Sequence, residues 1–183
     1  GRIMSRPRKP NRNCTNIERS NSLVTRVISA DDLSGMESAA SCILSGGLVA
    51  FPTETVYGLG ANALDPVAVR GIFLFMWRPS DNPLTVHVPL KYKLRPLARE
   101  ITPLAHCMMD HFMPGPITLV MKKSHTIPSC VSANLDTVGI RIPSHPVAQK
   151  FLSLCETPVA APSANLSGSP SPTCASHVMH DMQ

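Results

Sequence analysis

The chain has 183 residues, of which 43% are hydrophobic, 16% are charged and 4% are aromatic. This length and apolar content predict one globular domain with a substantial core, and the few aromatic residues disfavour a protein that stacks nucleic-acid bases on aromatic side chains. No apolar run approaches the roughly 18 residues of a membrane-spanning helix, so the composition predicts a soluble protein.

The net charge of +5 is not spread evenly along the chain. Residues 1–26 hold seven basic residues and one acidic residue, whereas residues 27–183 hold ten basic and eleven acidic residues. The first 22 residues are polar and lack apolar periodicity, which predicts a disordered basic tail. We therefore expect a nearly neutral domain over residues 23–183, and we expect any RNA contact to involve the tail.

Strand patterns and helix patterns alternate from residue 23 onward. Asp65 followed by Pro66 is a typical helix start, and Ser144 is the predicted cap of a later helix. The alternation predicts an α/β fold. In chain order the predicted elements are a strand at 23–28, a helix at 36–44, a strand at 48–51, a helix at 66–76, a strand at 84–88, a helix at 95–112, strands at 117–121 and 138–142, a helix at 146–155, a strand at 158–161 and a helix capped by Thr173.

Four loops are rich in small hydroxyl side chains, prolines and hydrogen-bonding groups. They cover residues 52–60, 78–83, 141–145 and 162–173. Each adjoins a predicted strand or helix end, so all four could gather along one edge of the sheet. Open α/β sheets bind their ligands at such an edge.

Other chemistries are disfavoured by the sequence. The six cysteines are scattered without a C-x-x-C pair, and the histidine pairs lack accompanying carboxylates, so no metal site is predicted and the thiols are expected to be reduced. The run from Gly58 to Ala63 fits G-x-G-x-x-A but does not directly follow a strand. Ser163 lacks the flanking glycines of a nucleophile elbow, so we expect no covalent catalytic residue.

Five sequence runs occur along the chain in this order: GGLVAFPTETVYGLGANALD, RPSDNPLTVHV, PGPITLVMKK, TVGIRIPSHPVA and PVAAPSANLSGSPSPT. Together they resemble the YrdC family of threonylcarbamoyl-adenylate synthases, from about Val27 to the C-terminus. The resemblance implies a single domain with a twisted, mixed, open sheet and flanking helices. It also implies a nucleotidyltransferase that makes threonylcarbamoyl-AMP and pyrophosphate from L-threonine, bicarbonate and ATP, for the threonylcarbamoyladenosine modification of tRNA.

The resemblance also assigns site residues, position by position. The threonine-binding set that it implies is Thr55, His87, Arg141 and Ala161. The ATP-binding set that it implies is Arg78, Asn82, Thr137, Ser163, Asn165 and Ser171. Within the threonine-binding set, Arg141 would pair with the amino-acid carboxylate, because a planar guanidinium binds a carboxylate through two hydrogen bonds.

Cofactor, partner and location follow from the resemblance in the same way. It implies Mg²⁺ bound with ATP, and a threonylcarbamoyl transferase complex that modifies tRNA as the partner. We expect a cytoplasmic protein without membrane contact.

Two departures from the family pattern bear on activity. Met76 and Trp77 stand where the family pattern has a lysine followed by a small residue, usually glycine, and we expect the Met76 side chain to point near the mouth of the 78–83 loop. The family domain also continues beyond the position of Gln183, so we expect the domain to be incomplete at its C-terminus. A catalytically weak YrdC-like protein that binds RNA or a partner is therefore the alternative to a full synthase.

Overall fold

The computed structural model describes residues 2–6, 25–165 and 170–181. These residues form eight strands and six helices. The strands are β1 (Arg2–Arg6), β2 (Arg26–Ser29), β3 (Leu48–Phe51), β4 (Gly58–Asn62), β5 (Thr85–His87), β6 (Leu119–Lys122), β7 (Thr137–Arg141) and β8 (Val159–Ala160). The helices are α1 (Leu33–Leu44), α2 (Pro66–Met76), α3 (Lys91–Leu94), α4 (Pro103–Phe112), α5 (Pro146–Cys155) and α6 (Ala175–Asp181).

One mixed sheet contains all eight of these strands, in the order β2-β1-β3-β4-β8-β5-β7-β6. β5 and β7 pair in parallel, and the other neighbouring pairs of described strands are antiparallel. The predicted α/β fold with a mixed sheet and flanking helices is therefore confirmed.

Alternate residues of the strands contact different helices. In β3, Val49 and Phe51 pack with α1 and α5, whereas Ala50 packs with α2 on the other side of the sheet. In β5 and β7, Val86 and Ile140 belong to the same cluster as Ala50. Because side chains alternate along a strand, the residues on either side of Val86 and Ile140 face the α1–α5 side of the sheet. That face carries the candidate site.

The prediction of a disordered tail is wrong for residues 2–6. They form β1, which pairs antiparallel with both β2 and β3. Ile3 is fully buried in the cluster that contains Ile28 and Met36. The strand depends on partners more than 20 residues away in the sequence, so the local sequence pattern does not reveal it. The remainder of the predicted tail, residues 7–22, lies outside the described residues.

The single helix predicted at residues 95–112 is also wrong. A 3-10 turn at Arg95–Leu97 follows α3, and α4 begins only at Pro103. Between them, Arg99 N–H donates to the Lys122 carbonyl at 2.8 Å, which commits this backbone to the end of β6. Thr102 then caps α4 by accepting from the Ala105 N–H at 3.2 Å. The Thr-Pro pair is thus the helix start that the sequence analysis missed.

β4 occupies part of the stretch that was predicted to be a loop. It lies between β3 and β8, and its glycines allow close packing there. A Cβ atom on Gly60 would come within 2.6 Å of a Val159 methyl carbon and 3.0 Å of the Phe51 ring. The glycines of the G-x-G-x-x-A match therefore serve packing within the sheet, which agrees with the rejection of a dinucleotide site.

The remaining boundaries differ from the predictions by a few residues. His145, rather than Ser144, caps α5, and its Nδ1 accepts from the Val147 N–H at 3.1 Å. Asp65 caps α2 as predicted, accepting from the Val67 and Ala68 N–H groups. Within the described parts of the chain, no helix has the length and apolar character that crossing a membrane requires.

Candidate functional site

A polar cavity of about 230 Å³ lies on the α1–α5 face of the sheet, against β5, β7 and the residues that follow β8. Each of the four loops singled out in the sequence contributes to its wall. The lining residues are Thr53, Val56, Tyr57, Gly58, Arg78, Pro83, Thr85, His87, Thr118, Arg141, Ala161, Pro162 and Ser163.

Arg141, the last residue of β7, is one of the two charged guanidinium groups in the wall. Its Nη1 donates to Thr55 Oγ1 at 3.1 Å, and its Nη2 lies 2.7 Å from Glu54 Oε1. The second contact is a close ion pair, and Arg141 Nε is buried without an acceptor among the described residues. A guanidinium with unused N–H groups in a polar cavity is suited to bind a carboxylate or phosphate.

His87 lies beside Arg141, because the parallel pairing of β5 and β7 sets these two residues opposite each other. The side chain is 4% exposed and meets the Phe51 ring edge-on, with centroids 5.8 Å apart. Burial and then the charge of Arg141 lower the pKa of His87 to about 4, so the imidazole is neutral at pH 7. Its buried Nδ1 has no partner within the described chain and is available to a ligand hydroxyl.

Arg78 brings a second cation to the cavity from the residue after the α2 cap. Its backbone N–H donates to the Phe73 carbonyl at 3.1 Å, which fixes the turn out of α2. Burial lowers the pKa of Arg78, yet a guanidinium stays charged at pH 7. Its Nε is buried and unpaired in the described structure. Arg78 therefore offers positive charge and an unused donor to a ligand phosphate.

The expectation that the Met76 side chain points towards the loop mouth is wrong. Met76 is 1% exposed and packs in the core cluster that contains Val69 and Ile72. Trp77, in contrast, is 85% exposed and has a left-handed backbone, with φ 52° and ψ 33°. The helix therefore turns its last side chain into the core and leaves the tryptophan in solvent.

Lys122 lies on the same face of the sheet as the cavity. β6 and β7 pair so that Lys122 is opposite Thr137 and Val120 is opposite Gly139. Directly paired residues share a face, and Gly139 and Thr137 alternate with the core residues of β7. Lys123 points away, and its Nζ donates to the Ile127 carbonyl at 3.1 Å. Lys122 is thus an exposed cation on the face where the ATP site is expected.

The residues assigned by family resemblance divide into two groups. His87, Arg141, Ala161, Arg78 and Ser163 line the cavity. The others lie outside its lining. They are Thr55, held by Arg141; Asn82, exposed in the 78–83 loop; Thr137, four residues before Arg141 in β7; and Asn165 and Ser171, whose side chains approach at 3.4 Å.

A second cavity of about 400 Å³ borders the first across the 52–57 loop. Thr53, Val56 and Tyr57 line both cavities, and Thr55 lines the second one. The Tyr57 N–H donates to the Pro172 carbonyl at 2.9 Å, which ties the 170–173 segment to the loop. The two cavities therefore lie on either side of the same loop and share part of its wall.

Sequence reasoning missed several residues of this region. Thr85 and Thr118 line the cavity, and Glu54 pairs with Arg141 from outside it. The alternation of Thr85 with His87 was visible in the sequence and placed both on one face. Glu54 lies within the predicted 52–60 loop, but nothing in the sequence indicated its contact with Arg141, and Thr118 gave no signal, because both depend on contacts between distant segments.

Comparison with known proteins agrees with this architecture. The Sua5/YciO/YrdC family model, described as "Telomere recombination", matches residues 41–183. The chain is 54% identical over 143 residues to the threonylcarbamoyl-AMP synthase of Pyrococcus abyssi, and 48% identical over 145 residues to that of Bacillus subtilis. These matches cover 78% and 79% of this chain and 42% of each relative, so the chain spans less than half the length of these relatives.

A solved structure shows the same fold. The crystal structure of P. abyssi Sua5 complexed with L-threonine matches with a TM-score of 0.80 and 51% identity, over 84% of this chain and 44% of that one. Because the family model covers most of the sequence and the fold agrees, the chain belongs to the Sua5/YciO/YrdC family.

Proposed function

We propose that this chain carries the threonine and ATP sites of a threonylcarbamoyl-AMP synthase. The observation that supports the proposal most strongly is the pair formed by Arg141 and His87. Both are buried in a polar cavity, and both retain unused hydrogen-bonding atoms. The high identity to proteins named threonylcarbamoyl-AMP synthase agrees with this chemistry.

Threonine is proposed to bind at the Arg141 end of the cavity. The guanidinium pairs with the α-carboxylate through two N–H groups, and the neutral imidazole of His87 bonds the side-chain hydroxyl. Thr55 and Ala161 complete the site by resemblance. The related Sua5 structure contains L-threonine, which supports an amino-acid site in this fold.

ATP is proposed to bind where Arg78 and Ser163 meet the cavity, with Asn82, Thr137, Asn165 and Ser171 as further contacts. Arg78 supplies positive charge to a phosphate, and the small hydroxyl and amide side chains let a loop follow the phosphate chain without bulk. Lys122 is the candidate for the cation that Met76 does not supply.

The proposed reaction needs position and charge rather than a nucleophilic side chain. The neutral threonine amine attacks CO₂ and loses a proton, or attacks bicarbonate with release of water, and either route gives a carbamate. A carbamate oxygen then attacks the α-phosphate, and pyrophosphate leaves with the electron pair of the broken bond. Arg78 and Arg141 are suited to hold the reacting groups together and to stabilise the developing negative charge.

Mg²⁺ is proposed to arrive with the triphosphate of ATP, whose charge it would offset. The described residues contain no cluster of three His, Cys, Asp or Glu side chains that could hold a resident ion. Magnesium commonly relies on substrate phosphates and water rather than on a protein cage, so the residues present are compatible with this arrangement. We assign the ion no protein ligand.

The product is proposed to pass to a transferase complex that modifies tRNA, in the cytoplasm. Any RNA contact would involve the N-terminal part of the chain, because residues 1–26 contain seven arginine and lysine residues. The alternative function is a catalytically weak YrdC-like protein that binds RNA or a partner. The replacement of the family lysine by Met76 favours it, because position 76 then supplies no positive charge.

The deciding experiment measures binding of L-threonine and of ATP by calorimetry, for the parent chain and for Arg141→Ala. We expect the substitution to abolish threonine binding and to leave ATP binding within about threefold. Arg99→Ala, which removes an exposed arginine paired with Asp136, is the matched control. Equal loss of both ligands in Arg141→Ala would contradict the assignment of this residue to threonine.

A pyrophosphate-release assay then separates the two candidate functions. A synthase releases pyrophosphate from ATP only when both threonine and bicarbonate are present. A chain that binds threonine and ATP but releases no pyrophosphate under these conditions would support the weakly catalytic alternative.

A further inference from the structure

Glu54 is a largely buried carboxylate that the proposed reaction does not use. Its side chain is 18% exposed, and that of its partner Arg141 is 13% exposed. One carboxylate oxygen, Oε1, lies 2.7 Å from Arg141 Nη2, and the other, Oε2, accepts from the Ser144 N–H at 3.2 Å. Glu54 therefore joins the 52–57 loop to the end of β7 and to the residues that lead into α5.

The arrangement of these groups places Glu54 outside the cavity. Arg141 belongs to the lining and Glu54 does not. Thr55, the next residue, accepts from Arg141 Nη1 at 3.1 Å, so two consecutive residues of one loop contact the two terminal nitrogens of the guanidinium. Nε and Nη2 keep N–H groups without acceptors in the described part of the chain. These two nitrogens form an edge of the guanidinium that can pair with a carboxylate through two hydrogen bonds, and neither is committed to a hydrogen bond within the described residues.

The charge balance fits a permanent partner of Arg141. Burial raises the pKa of the Glu54 carboxyl, but Arg141 and the Ser144 N–H more than offset this and hold the pKa below its ordinary value. Glu54 is therefore ionised at pH 7 and opposes the arginine charge. Oε2 accepts from the Ser144 N–H and Oε1 faces Arg141, so a contact holds each of the two carboxylate oxygens in place.

We propose that Glu54 is a positioning residue, which fixes the Arg141 side chain so that its Nε–Nη2 edge faces the carboxylate of the amino-acid substrate. The proposal rests on the function proposed above. An arginine side chain has many rotamers, and a ligand that must order them binds less tightly. By holding the guanidinium before the ligand arrives, Glu54 raises affinity for ligands that carry a planar carboxylate. It acts only through Arg141.

The opposite role, in which Glu54 competes with the substrate for Arg141, fits the structure less well. A competing carboxylate would occupy the cavity and would have to leave when the ligand binds. Glu54 is outside the lining and is tied to the Ser144 N–H. The sign of the effect on threonine affinity distinguishes the two roles.

The test compares Glu54→Gln and Glu54→Asp with the parent chain. Glutamine keeps the shape and an oxygen for the Ser144 N–H but removes the charge that faces Arg141. Aspartate keeps the charge on a side chain one methylene shorter. Glu37→Gln is the control, since Glu37 is an exposed glutamate on α1. Calorimetry measures the affinity for L-threonine, for L-threonine amide and for ATP.

We expect Glu54→Gln to weaken L-threonine binding at least tenfold and to leave ATP binding close to that of the parent. The control Glu37→Gln should keep the thermal midpoint of the parent. Threonine amide lacks the carboxylate, so its affinity should change little, and the preference for the acid over the amide should fall. Glu54→Asp should recover part of that preference. If Glu54 only connects the 52–57 loop to the rest of the fold and does not position Arg141, Glu54→Gln should weaken the binding of L-threonine and of L-threonine amide equally.

Two outcomes would overturn the inference. If Glu54→Gln binds L-threonine as tightly as the parent or more tightly, Glu54 does not position Arg141. If the preference for acid over amide is unchanged in both variants, the contact serves folding only. Failure of the parent chain to bind L-threonine would overturn the proposed function as well, so the two failures are distinguishable.

Discussion

Met76 occupies the position where family resemblance leads us to expect a lysine, and its burial decides what a lysine would do there. The side chain is 1% exposed in an apolar cluster, so a lysine ammonium would have to lose its proton or disrupt the packing. We expect Met76→Lys to lower the free energy of unfolding by about 4 kcal/mol, because burial strongly lowers the pKa of a lysine and the folded protein must hold it without its proton. Urea unfolding measures it.

Leu74→Lys is the matched control for this substitution. Leu74 belongs to the same helix and is 81% exposed, so its replacement should change stability by less than about 0.5 kcal/mol. Tighter ATP binding by Met76→Lys without loss of stability would show that the side chain at this position reaches the site after all.

Trp77 shows why a glycine suits the end of α2. Its backbone is left-handed, a conformation that costs a residue with a Cβ atom about 1–2 kcal/mol, and its ring contributes little burial because it is 85% exposed. Glycine removes that strain but adds freedom to the unfolded chain. We expect Trp77→Gly to raise the free energy of unfolding by about 0.5–1 kcal/mol, measured by urea unfolding.

Leu74→Gly provides a comparison with the opposite sign. It places glycine in the exposed interior of the same helix, where it should cost about 1 kcal/mol. If both substitutions destabilise the protein equally, the left-handed conformation of Trp77 is not a source of strain.

At the scale of elements, β1 is the clearest departure from the sequence prediction. Ile3 is fully buried on the face of the sheet that packs against α1. Deleting its side-chain methyl groups should therefore leave a cavity, and we expect Ile3→Ala to lower the free energy of unfolding by about 2–4 kcal/mol. Thermal and urea unfolding measure the change. Val27→Ala on neighbouring β2, where Val27 is 41% exposed, should cost less than about 1 kcal/mol.

The same element links the N-terminus to the site. The Arg2 N–H donates to the Tyr57 hydroxyl at 3.3 Å, and both residues border the second cavity.

A folding midpoint unchanged by Ile3→Ala would show that β1 contributes nothing to stability, as expected of a disordered tail.

At the scale of the whole molecule, stability should depend on pH through His87. Its pKa is about 4 in the folded protein against 6.5 in the unfolded chain, so the unfolded chain binds more protons between these values. The stability from the neutral imidazole is therefore complete above pH 6.5 and is lost as the pH falls towards 4. The expected loss is about 3 kcal/mol, from about 1.4 kcal/mol per pKa unit.

The measurement is urea unfolding at several pH values for the parent and for His87→Gln, which cannot be protonated. Burial also lowers the pKa of His145, which contributes in the same direction and remains in both proteins. The difference between the two pH profiles therefore isolates His87. Parallel profiles between pH 4 and pH 7 would contradict the buried, neutral state of this histidine.

The sequence by itself determined the parts of this protein that depend on neighbouring residues. The Asp65–Pro66 start of α2 and the apolar run of β3 were correct, because a cap and a strand pattern act within a few residues. The loops that line the site were also found, since their composition differs from that of the elements around them. Family resemblance supplied the proposed roles of Arg141 and His87, which physical patterns alone left open.

Tertiary structure decided what depends on distant partners. β1 forms because β2 and β3 offer hydrogen bonds to both of its edges, and the predicted long helix is interrupted because Arg99 bonds to the end of β6. The direction of the Met76 side chain and the contact between Glu54 and Arg141 were likewise decided by packing. Glu54 and Arg141 are 87 residues apart in sequence, and only the folded sheet brings their charges together.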